Sequence, residues 1–202
     1  MRAFFTSLCL FISVNGLALA ERPHAVIKTS LGEFAVELRT DAAPISAQNF
    51  IDHALAGHYD GGSFYRSVRD DNEREGVEPM HLIQGGAGWD KYEAFEGIPH
   101  EPTTQTGLSH IRGAISLGRF DPGTATSEFF IMVHDYPGLD AGPGTRNPDE
   151  QGYAVFGQVI SGMEIVESIW GQPTGDTSGP DGFQAQWLPE AVTIETIEIN
   201  QP

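Results

Sequence analysis

Apolar residues recur along this chain with two spacings. Phe34, Val36 and Leu38 alternate with Ala35 and Glu37, and a β-rich run at residues 25–29 precedes them across a Leu31-Gly32 turn. Period two on either side of a turn predicts a β-hairpin. After Pro44 the spacing lengthens: Ala47, Phe50, Ile51, Ala54 and Leu55 fall at i, i+3, i+4, i+7 and i+8, and Gly57 follows. That pattern predicts an amphipathic helix with proline in its first turn and glycine at its stop. Short apolar or β-branched runs come next at residues 63–68, 82–84, 114–117, 129–133 and 153–160, each bounded by Gly, Pro or Asp. They read as strands. Met163, Val166 and Trp170 share one face of a second helix over residues 162–170, and residues 192–199 read as a closing strand. Two polar stretches, 69–78 (RDDNEREGVE) and 141–151 (AGPGTRNPDEQ), are expected to be exposed loops. A mainly β barrel with its ends plugged by the two helices uses every piece.

Composition narrows the class. The 202 residues include 24 Gly and 13 Pro, roughly 18% of the chain against an average nearer 12%, which argues against a helical bundle. With 40% hydrophobic and 19% charged residues the chain is too apolar to be disordered. Residues 21–202 contain no repeat and no linker and read as one domain. Residues 1–20 stand apart: Arg2 is followed by Phe4, Phe5, Leu8, Cys9, Leu10, Phe11, Ile12 and Val14, and the stretch closes on Ala18-Leu19-Ala20. A basic start, a short apolar run and an A-x-A end predict a secretory signal peptide, and the run is shorter than the roughly 20 residues of a membrane span. The mature product is therefore expected to be exported, to the periplasm or by secretion, with no membrane insertion after cleavage. Cys9, the only cysteine, leaves with the leader, which excludes disulfides and thiolate chemistry from the mature chain.

Charge and spacing exclude several chemistries. The 28 acidic residues against 11 basic ones give a net charge of −17, which repels phosphate backbones, so nucleic acid is not an expected partner. Gly85-Gly86 lacks the Lys-Ser/Thr pair and the helix of a phosphate loop. The seven histidines show no tight ligand spacing, and Asp70-Asp71-Asn72-Glu73 lacks the spaced ligands and central glycine of a calcium loop, so no metal is expected. Ser116 and Ser127 sit in no nucleophile elbow.

Five segments carry more specific information by their order: Ala43-Pro44-Ile45-Ser46-Ala47-Gln48-Asn49-Phe50, Ser63-Phe64-Tyr65-Arg66, Leu82-Ile83-Gln84-Gly85-Gly86, Thr126-Ser127-Glu128-Phe129-Phe130-Ile131 and Gly152-Tyr153-Ala154-Val155-Phe156-Gly157-Gln158-Val159. Over residues 25–199 this order resembles the cyclophilins, the peptidyl-prolyl cis/trans isomerases. The resemblance implies a closed eight-stranded antiparallel barrel capped by two α-helices, in agreement with the independent count. It implies a monomer that takes proline-containing polypeptides and needs no cofactor. It assigns the catalytic role to Arg66 and substrate contacts to Phe64, Tyr65, His81, Leu82, Gln84, Gly118, Arg119, Glu128, Phe130, Leu139 and Tyr153. The chain departs from the family pattern in several places. His81 stands where many members have Phe, Glu128 where Gln is commoner, Tyr153 where several have His, and Gly138 where Trp or Phe precedes the Leu-Asp pair. The loop between Arg66 and His81 is also longer.

These residue types suit the chemistry implied. Rotation about a peptide bond meets a barrier of roughly 18–20 kcal/mol because the nitrogen lone pair is delocalised into the carbonyl. A guanidinium beside the prolyl nitrogen can hydrogen-bond that lone pair only as it localises in the twisted state, which is catalysis by differential binding. Alternation along 129–133 lets only one of Phe129 and Phe130 face a groove, and the resemblance selects Phe130. Two rival expectations remain: a peptide-binding module or holdase on the same fold, and an unrelated carrier barrel with an open lumen.

Overall fold

The computed structural model of the protein describes residues 22–88, 91, 94–175 and 183–201, so the leader expected at residues 1–20 lies outside the described residues. The strands are β1 (His24–Thr29), β2 (Gly32–Leu38), β3 (Ser63–Val68), β4 (Leu82–Gly86), β5 (Ala114–Leu117), β6 (Phe129–Met132), β7 (Ala154–Ser161) and β8 (Trp187–Asn200). They close into one barrel in the order β1-β2-β7-β5-β6-β4-β3-β8, with every pairing antiparallel. The helices are α1 (Pro44–Leu55), α2 (Thr103–Thr106) and α3 (Met163–Trp170). The strand count and the early and late helices agree with the periodicity. The four-residue α2 was not expected, because so short a turn leaves no apolar spacing to read. It ends on Gly107 at φ +70°, a left-handed stop that glycine adopts without strain.

Period two sorts the side chains into an inside and an outside. Ile27, Phe34, Val36, Phe64, Ile83, Ile115, Phe129, Ile131, Phe156 and Ile194 fill the barrel as one cluster. α1 lies against β7 and β8 and inserts Phe50, whose ring lies 5.2 Å from Phe156, 5.2 Å from Tyr59 and 5.4 Å from Phe129. α3 covers β2, β3 and β4 and buries Val166 and Ile169. Ala43 and Pro44 give α1 no side-chain cap of its own. Glu101 supplies one from elsewhere in the chain, accepting from the backbone N–H of Ile45 and Ser46 and from the Ser46 hydroxyl. A barrel filled in this way is a solid core, which removes the carrier with an open lumen.

Two expectations need correction. β8 begins at Trp187, five residues before the alternation of residues 192–199, because Pro189 and Glu190 break the pattern within it. The polar stretches 69–78 and 141–151 are irregular, as expected, yet not simply exposed: Asn72 and the Glu73 side chain are buried. Asn72 is held by the Ser67 carbonyl and the Arg69 N–H, and Glu73 by Arg146.

Candidate functional site

The site is made by an irregularity in β3. Strict alternation would put Phe64 and Arg66 on the same face. Phe64 pairs with Gly85 and Arg66 with Gln84, so Tyr65 is an extra residue on this strand relative to β4. The pairing with β8 is also broken here, with the extra residues on β8: Phe64 faces Val192 and Arg66 faces Trp187. A bulge of this kind re-aims the side chains that follow it. Phe64 enters the core, and Arg66 turns outward onto a second apolar cluster that includes Met80, Leu82, Phe130, Met132 and Leu139.

Outside the barrel these residues line a groove of about 350 Å³. Its floor follows the β4–β6 register, in which Leu82 pairs with Met132 and Gln84 with Phe130. Arg66 is held above this floor by amides. Its Nη1 donates to Gln84 Oε1 at 2.7 Å, and its Nε and Nη2 donate to Gln186 Oε1 at 2.9 and 2.7 Å. The guanidinium also lies 4.6 Å from the Phe183 ring. No carboxylate pairs with it among the described residues. Burial pulls its pKa down to about 10, so it is a full cation at neutral pH. A guanidinium has five N–H donors, and three are committed here, which leaves two for a ligand.

The apolar seat beside Arg66 is braced from behind. The buried His110 ring stacks on Phe130 at 5.7 Å, and Tyr153 meets Phe130 edge-on at 5.3 Å. His110 Nδ1 lies 2.6 Å from Asp140 Oδ1, and its Nε2 lies 3.1 Å from Ser116 Oγ. This Ser-His-Asp sequence is sealed beneath Phe130, with Ser116 and His110 both fully buried, so it props the seat and has no access to a substrate. Burial lowers the His110 pKa against the opposing pull of Asp140. Burial works against the Asp140 carboxylate too, but hydrogen bonds from His110 and Ser109 outweigh it and lower its pKa.

At one end of the groove the buried Glu128 carboxylate accepts from the Tyr65 hydroxyl at 2.5 Å and from the Gly88 N–H at 3.3 Å. Gly86 is required there, since a Cβ on it would run into that carboxylate. Gly85 is confined as well, because a Cβ on it would meet the Ser63 carbonyl oxygen of β3. At the other end, the chain between β3 and β4 is tied to the 141–151 segment by Arg146, whose Nη2 lies 2.8 Å from Glu73 Oε2.

Arg66, Leu82, Gln84, Gly118, Arg119, Glu128, Phe130, Leu139 and Tyr153 thus come together around one groove. Three of the residues expected to touch substrate do not line it. Phe64 lies in the barrel core because the bulge follows it. Tyr65 is buried behind the groove, holding Glu128 and meeting the Trp187 ring in a tilted contact at 4.6 Å. His81 turns away to Asp70, His134 and Trp170, and Met80 takes the place beside Leu82. The Arg119 side chain does not point at a ligand: it is engaged by Asp149 and the Gly152 carbonyl. At Gly138, where the family pattern has an aromatic residue, the Tyr136 ring occupies the space a side chain would take. Sequence reasoning missed Gln186 and Phe183, which reach Arg66 from about 120 residues away, and the Glu73, Arg74 and Arg146 cluster.

A closed barrel with a fixed cation above an outer apolar seat defines the cyclophilin fold class. Two solved structures of a cyclophilin type peptidyl-prolyl cis-trans isomerase from Cryptosporidium parvum share the fold at 20 and 21% identity, each with a TM-score of 0.66. They cover 89% of this chain and 98 and 99% of theirs, and one was determined in the presence of the dipeptide Ala-Pro. Residues 24–199 match the family described as cyclophilin type peptidyl-prolyl cis-trans isomerase/CLD, and the chain belongs to that family. It is similar to a peptidyl-prolyl cis-trans isomerase of Acinetobacter baylyi, with 35% identity over 167 residues, 82% of this chain and 79% of that one. It is also similar to peptidyl-prolyl cis-trans isomerase A of Dickeya dadantii, with 33% identity over 171 residues, 84% and 82% of the two chains. The family and the isomerase class expected from the five motifs are borne out.

Proposed function

We propose that this isomerase accelerates rotation of X-Pro bonds in exported client polypeptides, without metal or cofactor, and that Arg66 is its catalytic residue. The observation that carries this reading is a guanidinium held by two amide oxygens, with no neutralising carboxylate among the described residues, above the seat of Leu82, Phe130 and Leu139. The proline ring sits in that seat. As the bond twists, its nitrogen becomes pyramidal and basic, and an Arg66 N–H donates to the lone pair. The planar ground state offers no such lone pair, so the bond forms only on the way over the barrier. No bond is broken and no proton changes owner, so neither a nucleophile nor a metal has a step to perform.

One charge-assisted hydrogen bond supplies about 1.5–3 kcal/mol. The remainder comes from holding one side of the bond while the other turns. Gln84 commits its oxygen to Arg66, and its amide nitrogen lies beside Gly118, where a peptide backbone can approach. Clients are expected in the exported compartment because residues 1–20 carry the pattern of a leader, and no helix among the described residues is long and apolar enough to cross a membrane. The strongly acidic chain disfavours nucleic acid as a partner.

The test is a protease-free isomerisation assay on a prolyl tetrapeptide with wild type and Arg66→Ala. A fall in kcat/KM of roughly ten- to a hundredfold is expected, with a modest drop in thermal midpoint that leaves the variant folded, because Gln84 and the buried Gln186 lose the donors to their side-chain oxygens. Unchanged turnover in a well-folded variant ends the Arg66 assignment. Peptide binding by wild type without any acceleration leaves a binding module on the cyclophilin fold.

A further inference from the structure

The groove's charge differs from that of the molecule around it. The chain is acidic, with 28 acidic and 11 basic residues, yet among the described residues Arg66, Arg74, Arg119 and Arg146 line the groove against two carboxylates, Glu73 and Glu128. Asp149 neutralises Arg119. Glu73 is shared: its Oε2 lies 2.8 Å from Arg146 Nη2, and its Oε1 lies 3.7 Å from Arg74 Nε. One carboxylate cannot neutralise two guanidinium groups, so among the described residues that line the groove one guanidinium of this cluster is left unbalanced by Glu73.

The surplus charge is also the accessible one. The Arg146 side chain is 14% exposed and fixed, its Nη1 donating to the Glu78 carbonyl and its backbone N–H to the Gly138 carbonyl. The Arg74 side chain is 71% exposed. The opposite end is acidic. Outward-facing Leu82, Gln84 and Gly86 follow one another along β4 over about 13 Å at 3.3 Å per residue. Glu128 stands beside Gly86, while the segment bearing Glu73 and Arg74 rises from the Leu82 end. A bound prolyl segment therefore lies between a carboxylate at one end and an unbalanced guanidinium at the other.

We propose that the groove selects prolyl segments carrying a carboxylate one or two residues from the proline, on the side that faces Arg74, and that Arg74 determines this specificity. The inference rests on the isomerase reading for its site and adds the class of client. It predicts a preference that depends on the side, because a carboxylate on the Glu128 side meets a like charge.

The experiment uses matched short peptides with Glu, Gln or Lys placed before or after a central X-Pro pair. Binding and cis/trans exchange are both read by NMR, with wild type, Arg74→Gln and Arg74→Glu. Wild type is expected to favour Glu over Lys about two- to fivefold at one placement only, the range that exposed ion pairs reach. That preference should vanish near 1 M salt, where the screening length falls to about 3 Å. It should also vanish in Arg74→Gln and reverse in Arg74→Glu. Equal handling of Glu and Lys peptides at both placements, or a preference that survives in Arg74→Gln, overturns the proposal. If wild type fails to turn over even the Gln peptide, the isomerase reading is the one that fails, and the binding shifts still decide the charge preference.

Discussion

β3, β4 and β6 present two faces that differ in what holds them together. Inward, Phe64, Ile83, Phe129 and Ile131 belong to one cluster of buried hydrophobic side chains, and the face is specified by shape and volume. Outward, Leu82, Gln84, Phe130 and Arg66 mix apolar surface with an amide-bound cation, and each polar group depends on a partner in a distant segment. The same strands therefore carry a face that tolerates any shape-preserving apolar substitution and a face that tolerates few changes of hydrogen bonding.

Adjacent residues give the sharpest contrast. Phe129→Ala opens a cavity among Phe50, Tyr59 and Phe64 and is expected to lower unfolding stability by about 3–5 kcal/mol in urea titrations. Phe130→Ala, beside the open groove, is expected to lose less stability and to lose at least about tenfold in kcat/KM. Equal stability losses with activity intact in both would erase the distinction between the faces. Gln186→Leu removes the acceptor of two Arg66 N–H groups and is expected to lower kcat about fivefold with little change in KM. A shift in KM alone would make Gln186 part of the binding surface and not a positioning residue for Arg66. The smallest effect concerns pH. Burial holds the His110 pKa below the usual 6.5, whereas the unfolded chain titrates near that value. The unfolded state therefore takes up the proton first, so this contribution to stability is complete above about pH 6.5 and is lost as pH falls below it. His110→Gln should show a shallower decline of the urea midpoint between pH 7 and 5 than wild type, and identical declines would assign the slope elsewhere.

Elements with a clean period were legible in the chain: the β1–β2 hairpin, α1, α3 and the alternation of β6, although the resemblance and not the period picked Phe130 as its outer residue. Arg66 shows the limit of periodicity. Its outward direction comes from the extra residue at Tyr65, and a bulge leaves no mark in a hydrophobic pattern. The motif order located Arg66 where alternation would have buried it. Gln186 and Phe183 were illegible for a different reason. They sit at a short 3-10 turn just before β8, and its meaning appears only once β8 lies beside β3. His81 and Met80 exchanged places because the strand starts at Leu82, leaving the direction of residue 81 to local contacts with Asp70 and Trp170. Arg74 lay in a run that reads as solvated charge, and only the sharing of Glu73 with Arg146 makes it distinctive.

The ladder that joins residue 24 to residue 200 sets the order in which this molecule can be finished. Its first strand must wait for its last, almost the whole length of the polypeptide later, before both have neighbours on each side. A nascent copy still missing its final stretch exposes two raw edges and an unsealed interior until that stretch has emerged.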